Sequence, residues 1–466
     1  VAYAGILQQS ATLPRKFAIA IVVSLDAAVL TLMALLGPIA GTLAVVAPAV
    51  MLYGAFSPIG FVLTLALTSH VTVVGTGNEI VLYVLRASLV VFMALLTFVR
   101  WMIARSDVDL GAGTIGKYFF AFMLWGGFCT LFAVEPLDSL KELLRLSLFF
   151  PVYILARETI RTRFHVALVV SSFGIAIVAN VAMAFFQIEQ NGFMRVMGFY
   201  GNPNFLGMFL MFSLPTMGIA WYIFSRAWAR VAIVLALTLG TLLLLLTWSR
   251  DSIISVAIAT LAFLILERKK KLLMAISVGL VAVTVAFLFS PSVQQFVLTA
   301  TRAKAGTTSR TILWNIGMQA FARSPIVGLG YNIPKSEVSD QIMWNDVQTY
   351  AVLTMNTSSF GPHNVFISQL MSTGIPGLVL FLLFYRAVFS DQFRSWKQRQ
   401  SSKECHLHII IIATLVGTLF HAFFEYNSFL GHISWASYFW ITLGMVEAIK
   451  RKNLLADETA SVPRIA

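Results

Sequence analysis

Charge is what this chain lacks. Only 11% of its 466 residues are Asp, Glu, Lys or Arg, while hydrophobic residues make up 58%. A soluble globular domain carries about 25% charged residues, so a surface wetted on all sides is excluded. Cysteine is scarce as well. Cys129 lies in an apolar run and Cys405 in a basic loop, too far apart in character to meet, so a disulfide framework is excluded. Short alternating apolar and polar segments are missing, which excludes a β-barrel. No internal repeat relates the two halves, which counts against an inverted-repeat transporter.

What the chain does have is apolar runs of membrane-spanning length, almost end to end, and a mean hydropathy of +0.83. The class this implies is an all-α polytopic membrane protein. Spans are expected near 17–36, 39–56, 58–76, 80–103, 117–134, 139–156, 164–188, 204–224, 230–248, 252–267, 272–290, 364–388, 408–427 and 430–449. With several short early runs, about 12–14 crossings are expected. The chain begins at Val1 rather than Met, and no small-residue cleavage site follows the 17–36 run, so a cleaved signal is not expected.

The net charge of +13 sits mostly in short loops. Arg15-Lys16, Arg100 with Arg105 and Lys117, Arg157 with Arg161 and Arg163, Arg226 with Arg230, Arg268 to Lys271, Arg394 to Lys403, and Lys450 to Lys452 all fall on one side. By the positive-inside rule that side is the cytoplasm. Both termini are then cytoplasmic, and no nucleic-acid partner is needed to explain the charge. The expected organisation is a helix bundle over 1–290, a periplasmic loop over 291–363, C-terminal helices over 364–452 and a cytoplasmic tail over 453–466.

The polar stretch from Ser290 to His363 interrupts this pattern. A long external loop in a membrane protein is usually kept for a use, and this one reads as part of the active-site region of a membrane enzyme. Lys and Arg should be rare on its side of the membrane, yet Lys141, Arg195, Arg250, Arg302, Lys304, Arg310, Arg323 and Lys335 stand there. Arginine suits bidentate contact with phosphate. Ordinary solvated charge is the preferred reading for Lys141, Arg302, Lys304, Arg323 and Lys335.

Four motifs carry the remaining signal. Arg195 precedes Gly198-Phe-Tyr-Gly201-Asn202-Pro203-Asn204, a tight turn before a span in which Asn204 is expected to cap the helix. Thr247-Trp-Ser-Arg250-Asp251 joins two spans with almost no loop. Ser309-Arg310 opens a helix to about Arg323 with Trp314, Met318 and Phe321 on one face, followed by Pro325 and Gly328-Leu-Gly330. That helix is expected to lie on the bilayer surface or to cover a cavity. His363-Asn364 begins the next span, nine residues before Gly374-Ile-Pro-Gly377. A neutral His at the interface can act as a general base.

Ionisable residues within spans form a second tier. Arg86 has no local partner, whereas Glu142 and Arg145 are spaced to pair with each other. His421 and Glu425, four residues apart, are spaced as a hydrogen-bonded pair that would hold two helices together, and Asp26 and His70 carry no assignment. One cytoplasmic loop holds two decoys: Asp107-Val-Asp109, without His or Cys near it, and Gly111-Ala-Gly-Thr-Ile-Gly116-Lys117, which follows a span rather than a strand. Neither supports a metal or nucleotide site.

The order Arg195…Gly201-Asn-Pro-Asn204, Ser249-Arg250, Ser309-Arg310…Trp314…Pro325…Gly328-x-Gly330, then His363-Asn364-x9-Gly374-x-x-Gly377 resembles the O-antigen ligase superfamily. That superfamily comprises O-antigen ligases, O-antigen polymerases and protein O-oligosaccharyltransferases. The resemblance spans residues 180–390 and is closest to an O-antigen ligase, since one external loop and a short tail are present. It implies a GT-C-type glycosyltransferase of the bacterial inner membrane with a periplasmic active site and no cofactor or metal. It implies an undecaprenyl-diphosphate-linked glycan as donor and lipid A–core as acceptor. It assigns His363 as the catalytic residue and Arg250, Arg310 and Arg195 as ligands of the donor diphosphate. Arg86 and Arg145 are further candidates for that charge, and Asn364, Asn202 and Asn204 are supporting residues. A lipid-linked glycan transporter is the alternative from another class.

Overall fold

The computed structural model describes residues 113–191, 195–292, 308–334, 361–399, 404–425 and 433–452, together with a few single positions outside these runs. The spans expected near 17–36, 39–56, 58–76 and 80–103 lie outside the described residues, as do Arg86, Asp26, His70, the Asp107 motif and most of the tail. The described residues are mostly helical, and the fold is all-α and polytopic.

Twelve helices are labelled here: α1 Gly113–Thr130, α2 Pro136–Ser147, α3 Phe149–Thr159, α4 Arg163–Asn191, α5 Pro203–Ile223, α6 Ala227–Leu246, α7 Arg250–Leu266, α8 Lys270–Phe289, α9 Thr308–Arg323, α10 Val365–Gln398, α11 Glu404–His421 and α12 Ile433–Lys452. Five of them (α4, α5, α6, α10 and α11) are long and apolar enough to cross a membrane. The span expected over 139–156 is corrected. It is two helices, α2 and α3, meeting at Leu148. Cys405, expected in a loop, is the second residue of α11; it and Cys129 are buried free thiols.

In a bilayer, lipid tails remove the hydrophobic drive between helices, so small residues that admit close backbone approach set the contacts. Gly417 of α11 shows this against α7: a Cβ there would lie 2.6 Å from the Ser255 carbonyl oxygen. Gly444 does the same for α12 on α3, where a Cβ would lie 2.6 Å from the Tyr153 oxygen. An aromatic cluster fills the space among α1, α3, α10 and α12. Phe119 stacks on Phe150 with centroids 4.8 Å apart, and Phe384 stacks on Trp440 at 5.8 Å. Leu235, Leu242 and Leu245 of α6 point outward instead, as a lipid-facing surface requires.

The bundle has two chemically different ends. At one, Lys452 donates to the carbonyls of Arg157, Glu158 and Ile160 at 3.0, 3.2 and 2.8 Å, Lys450 meets Asp391 at 3.2 Å, and His406 meets Glu267. This end gathers groups from the basic loops. Antiparallel α7 and α11 run from it to a second end, where Asp251 faces His421. Sixteen residues of α7 separate Glu267 from Asp251, about 24 Å along the axis.

α10 is broken at Gly374, whose φ of 66° and ψ of −169° are non-helical. A break strands backbone groups, and each must find a partner. The segment after α9 supplies them. Leu329 N–H donates to Met371 O at 2.7 Å, Gly330 N–H to Ser372 O at 3.1 Å, and Ile375 N–H to Pro325 O at 2.9 Å. The Trp125 indole donates to Thr373 O at 2.8 Å. The two glycine motifs thus meet: Gly328 and Gly330, both at positive φ, lie against the broken turn. A Cβ on Gly374 would fall 2.1 Å from the Ile326 carbonyl oxygen. Gly374→Ala is therefore expected to destabilise the protein by about 1–3 kcal/mol. Gly279→Ala in α8, where a Cβ meets nothing within 4 Å, is the control and should leave stability unchanged or slightly raised. Denaturant unfolding in detergent separates the two; equal stabilities would mean the break has no strict need of glycine.

α9 differs from its expected orientation. Its buried face is Leu313, Ile316 and Ala320, resting on Ile333 and Met371, while Met318 is exposed. Gly317 brings the helix close to Ile367 of α10. The helix is thus clamped to the start of α10, which brings Arg310 beside His363.

Candidate active site

The second end collects polar side chains from five separate parts of the chain. Its centre is Glu425, four residues past the end of α11 and 1% exposed at its side chain. One carboxylate oxygen, Oε2, lies 2.9 Å from Nδ1 of His363. The other, Oε1, accepts from Nη2 of Arg310 at 3.1 Å and from Nδ2 of Asn204 at 3.3 Å. A buried carboxylate is costly unless paired and hydrogen-bonded, and here the ion pair with Arg310 meets that requirement.

The local sequence explains how each group arrives. Asn364 caps α10, its Oδ1 accepting from Ile367 N–H at 3.0 Å and its Nδ2 donating to Phe423 O at 3.1 Å. This second bond ties the start of α10 to the turn that carries Glu425. His363 adopts φ 49°, rare for a residue with a Cβ. Such a backbone persists only where the surroundings hold it, commonly at functional sites. Asn202 caps α5 by accepting from Asn204 N–H at 2.8 Å. The expectation that Asn204 is the cap is corrected. Pro203 takes the first helical position, and Asn204 is left to bridge Arg195 and Glu425. Arg195 Nη2 donates to Asn204 Oδ1 at 2.9 Å, and its Nε to Thr247 O at 3.0 Å.

An ionised carboxylate only accepts. Nδ1 of His363 must therefore carry the hydrogen it shares with Glu425, and Nε2 becomes the basic nitrogen. A carboxylate behind an imidazole fixes its tautomer and orientation and stabilises the charged ring. The Arg310 guanidinium lies 5.8 Å over the Phe424 ring, and Trp314, one turn further along α9, is tilted against the same ring at 6.3 Å. Imidazole, guanidinium and an aromatic wall share one end of the bundle. Among the described residues no three His, Cys, Asp or Glu side chains converge as a metal site.

The remaining expected residues lie elsewhere. Arg250 is the first residue of α7 and exposed, while the adjacent Asp251 is buried. Arg145 pairs with Glu142 along α2, the local pair its spacing suggested. Lys141 pairs with Asp138 on the surface at 2.7 Å. The His421 ring reaches Ser252 and Asp251, and Glu425, whose N–H donates to His421 O at 3.0 Å, reaches His363, Arg310 and Asn204. Glu425 is the residue whose role the sequence did not disclose. Its signal was that of an ionisable residue within the span expected over 408–427, four residues after His421.

A lateral cleft of about 390 Å³ lies away from these groups, between α5, α6, α7 and α11. Thr241, Thr260 and Thr414 line it but bond their own helix carbonyls, so it offers no chemistry.

Residues 231–382 match the family model described as O-antigen ligase. An O-antigen ligase from Pseudomonas aeruginosa is 24% identical over 341 residues, covering 66% of this chain and 78% of that protein. Both likenesses are to O-antigen ligases. The matched segment contains Arg250, Asp251, Arg310 and His363. Glu425, Arg195 and Asn204 lie outside that segment and join it only through the fold.

Proposed function

We propose that this protein is an inverting glycosyltransferase that moves an O-antigen glycan from undecaprenyl diphosphate to a hydroxyl of lipid A–core oligosaccharide. The site faces the periplasm of the bacterial inner membrane, with both termini cytoplasmic. One observation carries the reading: a single buried carboxylate, Glu425, holds both the His363 imidazole and the Arg310 guanidinium. A base and a cation fixed to one anchor are what displacement at an anomeric carbon needs when the leaving group is a diphosphate.

His363 Nε2 takes the proton from the acceptor hydroxyl. The oxygen attacks the anomeric carbon, a new C–O bond forms, and the bond to the diphosphate oxygen breaks with its electron pair passing to the leaving group. Arg310 offsets the charge that develops there, with Arg195 and Arg250 as further donors. Each charge-assisted contact contributes roughly 1.5–3 kcal/mol, and the base about 10²–10⁴-fold.

The acceptor is decided by assay. Purified protein is supplied with undecaprenyl-diphosphate-linked glycan and, separately, lipid A–core, a second glycan-lipid, and a pilin-like protein. Extension of lipid A–core, undiminished by EDTA, is the expected result. Extension of the glycan-lipid would make the protein a polymerase, and extension of the protein acceptor an oligosaccharyltransferase.

A further inference from the structure

A second carboxylate reaches Arg310. Asp251 Oδ2 lies 3.6 Å from Arg310 Nη2 and 3.6 Å from His421 Nε2, and both Asp251 and His421 are buried. Its other oxygen, Oδ1, accepts from the Ser249 hydroxyl at 2.7 Å. Ser249 Oγ lies 3.1 Å from Ser252 Oγ, which lies 3.3 Å from His421 Nε2. Arg310 of α9, His421 of α11 and Ser249 at the start of α7 thus surround one carboxylate, with Ser252 linking the last two. Yet its Oδ2 is buried without a hydrogen bond. At 3.6 Å the Arg310 guanidinium is within ion-pair range but too far for a hydrogen bond. A buried oxygen left in that condition is costly, and such cases call for a reason.

The chemistry of the neighbouring carboxylate supplies one. Glu425 is shared between His363 and Arg310. Once His363 carries the acceptor's proton, the imidazolium competes for Glu425 at the moment the diphosphate needs Arg310. We propose that Asp251, braced by Ser249 and His421, is a positioning residue that keeps the Arg310 guanidinium in place while Glu425 is committed to the charged His363. The unfilled oxygen is the second seat for Arg310. This inference rests on the glycosyl-transfer reading of the site.

The test is a double-mutant cycle in the full-length protein, with undecaprenyl-diphosphate-linked glycan as donor and lipid A–core as acceptor. Asp251→Asn keeps the shape and the bond from Ser249 but removes the charge. It is expected to lower kcat roughly 2- to 100-fold, the range of coupling within one ion-pair network, with a smaller change in donor KM. In an Arg310→Ala background the same change should cost nothing further, because its target is gone. Losses that multiply instead would show that Asp251 acts independently of Arg310 and would overturn the proposal. Should Asp251→Asn fail to fold, Ser249→Ala serves the same cycle: a smaller kcat loss, absent in Arg310→Ala, supports the proposal, and one that persists there overturns it. A wild-type protein that transfers glycan while the variants multiply sinks only the positioning role. A wild-type protein that transfers from no lipid diphosphate sinks the functional reading, and this inference with it.

Discussion

Replacing His363 with alanine is expected to abolish glycan transfer while leaving donor binding close to that of the wild type. The separation follows from where the groups sit. Among the described residues at the site, the His363 ring is the imidazole open to a substrate, the His421 ring being buried, and with its Nδ1 hydrogen directed at Glu425 its Nε2 is the basic nitrogen. Arg310 is held by Glu425 and by Asp251, neither of which depends on the ring. Loss of the base should cost about 10²–10⁴-fold in kcat, with donor KM changing little. The check is a rate measurement at saturating donor beside a separate binding assay with the lipid diphosphate. Turnover within a few-fold of wild type would remove His363 from the proton transfer. A collapse of donor binding would instead make it a ligand of the diphosphate.

His363, Arg310 and Arg195 were legible in the sequence because each breaks a rule. Two are positive residues on the side that repels positive charge, and one is a histidine where the long loop meets a helix. Glu425 was legible only as an ionisable residue within an expected span, spaced to pair with His421; only the fold reveals that the turn after α11 lies against the start of α10 through Asn364 and Phe423. Asp251 was hidden for a related reason. Beside Arg250 it reads as the local partner of an interfacial arginine, yet the helix starting at Ser249 turns adjacent side chains in different directions. Arg250 goes to the surface and Asp251 to the interior.

The helices themselves followed from apolar run length: α4, α5 and α6 begin and end within three residues of expectation, whereas α10 runs on to Gln398, past the expected 388, and α11 ends at His421, short of the expected 427. The failures came where composition does not fix direction. Apolar residues surround α9 on several sides, so its buried face could not be chosen without knowing that α10 lies beneath it. The break in α10 was half legible: Gly374-x-x-Gly377 announced close approach, but not that Gly328-Leu-Gly330 supplies the hydrogen bonds the break requires.

Glu425→Gln should be nearly as damaging as loss of the histidine, though it changes a single atom. Glutamine has one acceptor oxygen and one donor nitrogen. Arg310 has only donors, so the amide oxygen must face the guanidinium and the NH2 must face His363. Nδ1 would then have to accept, the ring hydrogen would move to Nε2, and the nitrogen meant to take the acceptor's proton would already be occupied. Expected is a fall in kcat approaching the 10²–10⁴-fold attributed to the base, from a protein that remains folded because the side chain's volume is unchanged. Glu425→Ala adds a second penalty. It leaves a half-buried guanidinium without one of its two carboxylates, and breaking a buried ion pair costs about 3–5 kcal/mol, so that variant should lose stability as well as activity. Comparing the two by unfolding in detergent and by transfer rate separates orientation of the ring from support of the cation. A glutamine variant that turns over normally would mean that the imidazole finds its tautomer without Glu425, and the coupled site at the centre of the proposed mechanism would be wrong.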